Sequence, residues 1–164
     1  MRLLLAILIT LPLFGQLPKN EAALTFGIFN ADDGTGAKSK ETAASVSYNR
    51  FWTPMVSTRL GLTEYGIGFS GFADVKAKTL TVEFHPLRHE ILSPYFGAGA
   101  AYYDARVSTR YVSERANSEL AALAVAGIDL NFERWFSLGA GVTYVRTLEE
   151  IDPLLLSGAL KFRW

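Results

Sequence analysis

The pattern that most constrains this chain is an alternation of apolar side chains with polar or small ones, repeated in segments of about ten residues. In residues 43–51, for example, Val46 and Tyr48 alternate with Ser45 and Ser47. A period of two is the side-chain period of a β-strand. After the amino-terminal segment, the longest apolar run is Leu120 to Ile128, far shorter than the roughly 18 residues of a transmembrane helix. The alternation therefore predicts an all-β chain.

The first residues have the pattern of an export signal. Arg2 precedes the apolar run Leu3 to Phe14, whose length suits the hydrophobic region of a signal peptide. A buried core helix is the alternative, and Pro12 near the end of the run disfavours it. We predict a cleaved signal peptide over residues 1–20, with the exact cut left open, and one domain over residues 21–164.

Composition removes several functional classes. The chain has no cysteine, which excludes disulfides, thiolate metal sites, a cysteine nucleophile and a lipidated amino-terminal cysteine. Its 16 basic side chains balance 16 acidic ones, so the attraction required for sequence-independent nucleic-acid binding is missing. We expect no nucleic-acid partner and no cofactor.

Eight segments carry the strand pattern. In the third, the apolar face changes parity near Glu64 and continues through Tyr65 in the other register, which predicts a bulge or an upper end that leans out of the sheet. The facing of the fifth segment stays open. In chain order the predicted strands span residues 24–29, 43–51, 56–69, 76–85, 95–103, 120–133, 136–144 and 154–164.

Alternation alone does not separate a membrane barrel from a soluble barrel with its apolar face inward. Strands of about ten residues, aromatic side chains near strand ends and a final strand that ends on Trp164 favour the membrane. A sheet in hydrocarbon must close, because its edge groups would otherwise lack hydrogen bonds. We predict an eight-stranded antiparallel transmembrane β-barrel of up-and-down topology. Both termini are then periplasmic, because the long connections over residues 30–40 and 104–117 belong outside.

The last strand also carries a sorting pattern. Gly158, Phe162 and Trp164 approximate the carboxy-terminal signal that the barrel assembly machinery reads, with the glycine one place from its usual spacing. The predicted location is the cell outer membrane, and the expected partners are its lipid and, during biogenesis, the assembly machinery.

Three strings resemble the outer membrane protein W (OmpW) family of small barrels. The ending Asp152 to Trp164 is similar to the family's Asp-Pro, apolar strand and terminal aromatic-x-aromatic. The string Pro94 to Tyr102 is similar to its Pro-Tyr-x-Gly-Ala-Gly strand, and Gly127 to Asp129 followed by Trp135 is a weaker match. The resemblance implies an eight-stranded barrel with a narrow apolar passage that carries small hydrophobic molecules into or across the outer membrane.

The predicted orientation divides the lumen-facing residues into two sets. A mixed-charge set near the periplasmic end would pair and close the barrel, since a barrel this narrow is filled by side chains. Its members are Arg59, Glu83, His85, Asp129, Asn131, Glu133, Lys161 and Arg163. Nearer the outside, Phe29, Leu123, Val125 and Leu155 would either line an apolar cavity for a hydrophobic ligand or pack as ordinary core.

No group of residues in the sequence has the pattern of a catalytic site. His85 and His89 have the spacing of a metal site on a helix, but Pro86 disfavours that helix, so we expect solvated turn histidines and no metal. A lipid A-modifying barrel enzyme would need a serine and a histidine together near the outer leaflet, whereas both histidines fall at the periplasmic end. We predict a chain that is not an enzyme. A closed structural or adhesive barrel resembling OmpA stays open as the alternative function.

Overall fold

Eight antiparallel strands close into a barrel in the computed structural model, which describes residues 18–32, 38–66, 73–88, 91–109, 112–146 and 154–164. Each strand pairs with its sequence neighbours, and β8 closes the barrel against β1. No helix within these ranges is long and apolar enough to cross a membrane. The strands are β1 (Asn20–Asp32), β2 (Lys38–Phe51), β3 (Val56–Tyr65), β4 (Ala73–Phe84), β5 (Leu92–Thr109), β6 (Val112–Glu133), β7 (Phe136–Arg146) and β8 (Leu154–Arg163).

The predicted eight-stranded up-and-down barrel is therefore confirmed. Of the predicted signal peptide, residues 1–17 lie outside the described residues, and Asn20 already belongs to β1. The barrel has two ends. The turn end holds Trp164 and the connections β2–β3, β4–β5 and β6–β7, and the loop end lies opposite.

The strands are strongly staggered around the barrel. A path that starts at Arg146 and passes only through directly paired residues returns to β7 at Phe136, ten residues away. It runs through Ala122, Ala100, Leu80, Leu60, Tyr48, Ala22 and Phe162. Such a stagger requires strands tilted by about 35–45° from the barrel axis, and eight strands enclose only enough space for side chains.

Side chains alternate between an apolar outer wall and a largely polar lumen. On the outer wall Phe26, Leu62 and Phe96 are each more than half exposed, whereas Thr81 and Lys161 in the lumen are buried. The facing of β5, left open by the sequence, follows from Phe96, because Tyr95 and its alternate neighbours then face inward. An apolar exterior around a polar interior is the arrangement that hydrocarbon surroundings require.

The expected bulge near Glu64 does not form. The pairing of β3 is regular as far as Tyr65, which pairs with Ala43 and Val75 and is buried in the lumen. Tyr65 is apolar in character yet faces inward, because its ring packs against Phe29 and Tyr103 across the lumen. The remainder of the predicted third strand, residues 67–69, lies outside the described residues.

Two predicted loops are mostly strand. The first two strands pair as far as Asp32 and Lys38, and β5 and β6 pair as far as Thr109 and Val112. Polar residues here do not end the strands, because a hairpin ladder needs only backbone partners and continues beyond the apolar belt. The β5–β6 hairpin is consequently the longest among the described strands.

Candidate functional site

Seven ionisable side chains from five strands and one turn meet inside the barrel near the turn end. We call them the ion cluster, and they are Glu21, Arg59, Glu83, His85, Asp129, Lys161 and Arg163. Lumen-facing positions of a staggered barrel converge on its axis, so strands distant in sequence contribute neighbouring charges. Apart from His85, three cations face three carboxylates, so their charges balance.

Lys161 stands at one side of the cluster and is fully buried. Its Nζ lies 2.7 Å from Oδ1 of Asp129 and 3.9 Å from Oε1 of Glu21. Arg163 bridges the same two acids, with Nε 2.6 Å from Oε2 of Glu21 and Nη2 3.0 Å from Oδ2 of Asp129. Its Nη1 also donates to Oδ1 of Asn131 at 2.6 Å. These charges are thus held by several partners each, as buried ions must be.

Arg59 and Glu83 form the other side. Nη2 of Arg59 lies 3.0 Å from Oε2 of Glu83 and 3.7 Å from Oε1 of Glu21, which joins the two sides. Glu83 also accepts hydrogen bonds from Thr81 and from Asn49. The result is one connected network rather than separate pairs.

Tyr95 fills the space beside these charges. Its ring faces Nζ of Lys161 at 4.3 Å and the guanidinium of Arg59 at 5.4 Å, both within cation–π range. A Cβ on Gly127 or Gly141 would come within 2.7 Å of the tyrosine hydroxyl. The glycines of β6 and β7 therefore leave the room that this ring occupies.

His85 is fully buried, which corrects the expectation of a solvated turn histidine. The turn folds inward, so the ring lies between Phe51 and Tyr95, with centroid distances of 5.0 and 5.5 Å. Nε2 meets both Oγ of Ser57 at 3.1 Å and Oε2 of Glu83 at 3.4 Å. A catalytic triad needs the acid and the nucleophile on opposite ring nitrogens, so this arrangement is not one. His89 lies outside the described residues.

The structure brings together six of the charged residues singled out by the sequence, and Asn131 with them. Glu133 is different: it is exposed, because the register of β6 against β7 shifts between Asn131 and Glu133 as the chain enters its turn. Glu21 was missed by the sequence reasoning, although it is almost fully buried and holds both Lys161 and Arg163. Ala23 faces inward, so the alternation of β1 also places Glu21, two residues earlier, in the lumen. Extending the predicted strand back to residue 21 would have identified it.

A second closure lies beyond the cluster at the turn end. The β4–β5 turn carries Arg88 beneath the barrel, where the guanidinium sits 3.2 Å from the ring centroid of Phe51 and donates to the carbonyl oxygen of Pro18. Burial, together with the nearby positive charge of Arg163, lowers the pKa of Arg88 to about 10. Arg88 therefore stays charged at neutral pH and fastens the segment just before β1 across the opening.

We expect Arg88→Ala to lower the free energy of unfolding by about 1–3 kcal/mol, because it leaves the buried Pro18 carbonyl without its charged donor. Urea unfolding of the barrel refolded in lipid vesicles measures this. Arg146→Ala, at an exposed position of the opposite end, is the matched control and should change the midpoint little. Equal effects of both substitutions would contradict a fastening role for Arg88.

Above the ion cluster the lumen holds a cavity of about 80 Å³. That volume suits a few water molecules at about 30 Å³ each and is well below the roughly 300 Å³ of a small-molecule site. Of the four predicted ligand-lining residues, Leu123, Val125 and Leu155 contact it. Eight of the remaining eighteen lining residues are serines or threonines, namely Thr25, Ser45, Ser47, Thr63, Thr79, Thr81, Thr143 and Ser157.

Two packed apolar clusters lie around this cavity. Leu155 packs with Ala43, Tyr65 and Ala77, and Phe29 joins them with its ring 5.1 Å from that of Tyr65. The second cluster, defined by Ala101, Ala121, Leu123 and Val145, has Val125 against it. The predicted lining residues thus make core contacts as well as bordering the cavity.

The predicted assembly residues lie on the outer wall or at its edge. Phe162 is exposed and its ring lies 5.5 Å from that of Phe136. Trp164 lies 6.3 Å from Tyr48 across the closure of β8 on β1, and Gly158 is exposed in mid-strand. These rings belong to an aromatic band around the turn end, as at a membrane interface.

A closed eight-stranded barrel that is apolar outside and polar inside is a small β-barrel of the outer-membrane type. No protein-family model and no curated protein matches the chain. Among solved structures, Neisserial surface protein A is similar at a TM-score of 0.74 and 13% identity, over 89% of this chain and 97% of that one. The amino-terminal barrel of Pseudomonas aeruginosa OprF gives 0.70 and 19%, over 91% and 100%. Pseudomonas aeruginosa outer membrane protein OprG gives 0.59 and 12%, over 90% and 98%. At these identities the likeness concerns the fold.

Proposed function

We propose that this chain is an outer-membrane barrel closed to aqueous solutes, with both termini in the periplasm after removal of the predicted signal peptide, whose cut, left open by the sequence, falls before Pro18. The observation that carries the proposal is the ion cluster, which crosses the lumen below a cavity of only about 80 Å³. A hydrated solute would have to separate buried ion pairs, each of which costs several kcal/mol to desolvate and leave unpaired. Such a barrel serves as a structural component of the envelope.

Single-channel recording in planar bilayers tests the closure. The refolded parent should insert without discrete openings. The double substitution Arg59→Ser with Glu83→Ser removes a cation and an anion that both border the cavity, so it widens the lumen and leaves the net charge unchanged. We expect small, discrete openings from this variant.

The same recordings can refute the proposal. Regular openings of the parent, with a folded and heat-modifiable barrel, would show that the cluster does not close the lumen. Lys78→Ser is the control, since Lys78 faces outward, and it should behave like the parent.

A second candidate is the OmpW-like passage for small hydrophobic molecules. It is supported by the string at residues 94–102, which lies in β5, by the string at residues 152–164, of which 154–163 form β8, and by the contact of Leu123, Val125 and Leu155 with the cavity. The ligand would enter from the loop end and leave sideways into the bilayer, because the ion cluster lies below it. Transport of this kind requires the two apolar clusters to separate.

Uptake of a hydrophobic dye into vesicles containing the barrel tests this second candidate. Leu123→Arg should abolish uptake if Leu123 lines the path, since it places a charge there. Uptake that is equal in parent, variant and protein-free vesicles leaves the closed barrel as the function. We propose no enzymatic activity for either candidate, and the assembly machinery remains the proposed partner during biogenesis.

A further inference from the structure

We propose that the outer wall carries a binding site for one anionic phospholipid, with its phosphate held by Arg50 and its acyl chains in a groove across β1 to β4. The inference rests on the proposed membrane location. It concerns the lipid-facing surface rather than the lumen.

The groove lies on the outer wall and has a volume of about 780 Å³. Its apolar sides come from Val46, Leu60 and Leu62, which are each more than half exposed. Ala22 lines it and presents only a methyl group between its directly paired neighbours Tyr48 and Phe162, which leaves room in the surface there. The volume falls within the range of about 300–1,000 Å³ typical of small-molecule sites.

One end of the groove carries a polar cluster. Arg50 donates from Nη1 to Oδ1 of Asn20 at 2.5 Å, and the hydroxyl of Tyr48 donates to the same oxygen at 2.8 Å. Asn20 is neutral, and no carboxylate among the described residues lies within 4.0 Å of Arg50 as an ion-pair partner. A half-buried guanidinium held in place without a counter-charge is a site for phosphate, which arginine binds with two parallel hydrogen bonds.

The position of this cluster matches a lipid headgroup. Arg50, Asn20 and Trp164 lie at the turn end, where the aromatic band marks the interface, and the groove continues from them towards the middle of the wall. Acyl chains running along Val46, Leu60 and Leu62 would therefore belong to a lipid of the leaflet on the turn side. In the proposed orientation this is the periplasmic leaflet.

Lys78 borders the opposite end of the same groove and offers a matched comparison. Its strand neighbours Leu62 and Tyr102 pair with it directly, and both are exposed and lipid-facing. An ammonium on a flexible stem is a point charge that makes no two-pronged contact with phosphate. The geometry thus favours Arg50 as the headgroup residue.

Native mass spectrometry of the refolded barrel titrated with dioleoyl phosphatidylglycerol in detergent tests the site. We expect one retained lipid per barrel. Arg50→Gln should weaken retention at least fivefold, and Ala22→Leu, which fills the groove without touching a charge, should do the same. Lys78→Gln should stay within twofold of the parent.

Several results would overturn the inference. Equal losses of lipid retention for Arg50→Gln and Lys78→Gln would indicate general charge attraction. A loss only for Lys78→Gln would place the headgroup at the Lys78 end of the groove, contrary to the proposal. No effect of Ala22→Leu would show that the groove holds no acyl chain. Heat modifiability confirms the fold of each variant. A parent that conducts in planar bilayers refutes the proposed closure alone, whereas a closed parent that retains no lipid refutes only this site.

Discussion

Replacing Lys161 by methionine is expected to lower the free energy of unfolding by about 3–5 kcal/mol, the usual cost of removing one partner from a buried ion network. Lys161 is fully buried and its Nζ serves Asp129 at 2.7 Å and Glu21 at 3.9 Å. Methionine has nearly the same length, so the volume is kept and the loss is electrostatic. Asp129 then has only Arg163 as a cationic partner among the described residues.

Urea unfolding in lipid vesicles gives the difference between variant and parent. Lys78→Met is the matched control: the same exchange at an exposed, outward-facing position should leave the midpoint unchanged or raise it slightly. A Lys161→Met barrel as stable as the parent would mean that the cluster adds nothing to the fold, and the double variant with Asp129→Leu should then also be neutral. If the network is as described, the double variant recovers much of the loss, because no buried charge is left unpaired.

The composition of this cluster was largely predictable, because facing follows from a period of two. Once the strand ending at Trp164 is placed with Phe162 outward, Lys161 and Arg163 must point inward, and the same argument sends Asp129 to the lumen. Errors arise where the period is interrupted. Glu133 lies beyond the register shift at Asn131 and leaves the lumen, which no pattern of polar residues at a turn reveals.

Contacts across the lumen were not predictable in the same way. Leu123 and Leu155 both face inward, yet they pack in different clusters, because the stagger of the strands decides which levels of β6 and β8 meet. Stagger depends on the pairing of every strand with its neighbour, and a single sequence carries no direct signal for it. The size of the cavity and its hydroxylic lining follow from that stagger, so the lumen could be predicted as a set of residues but not as a shape.

We expect a second large loss of stability from a substitution in the middle of β5. Gly99 faces the lumen between Thr81 and Leu123, its direct partners on β4 and β6. A Cβ at this position would lie well inside van der Waals contact with the carbonyl oxygen of Leu80 and 2.7 Å from Cα of Thr81. Both obstacles are backbone atoms of a paired strand, so they cannot turn aside as a flexible side chain would.

We therefore expect Gly99→Ala to cost on the order of 3 kcal/mol, at the upper end for an overpacked position, and to reduce the refolded fraction. Gly158→Ala is the control, since a Cβ there meets no atom closer than 3.9 Å and alanine suits a strand at least as well as glycine. Both variants are compared by refolding in vitro, where the overlap of Gly158 with the assembly signal has no influence. A Gly99→Ala barrel as stable as Gly158→Ala would mean that β4 and β5 can separate at this level without loss. The close approach of the two strands at Gly99 would then contribute nothing to holding the wall beside the ion cluster.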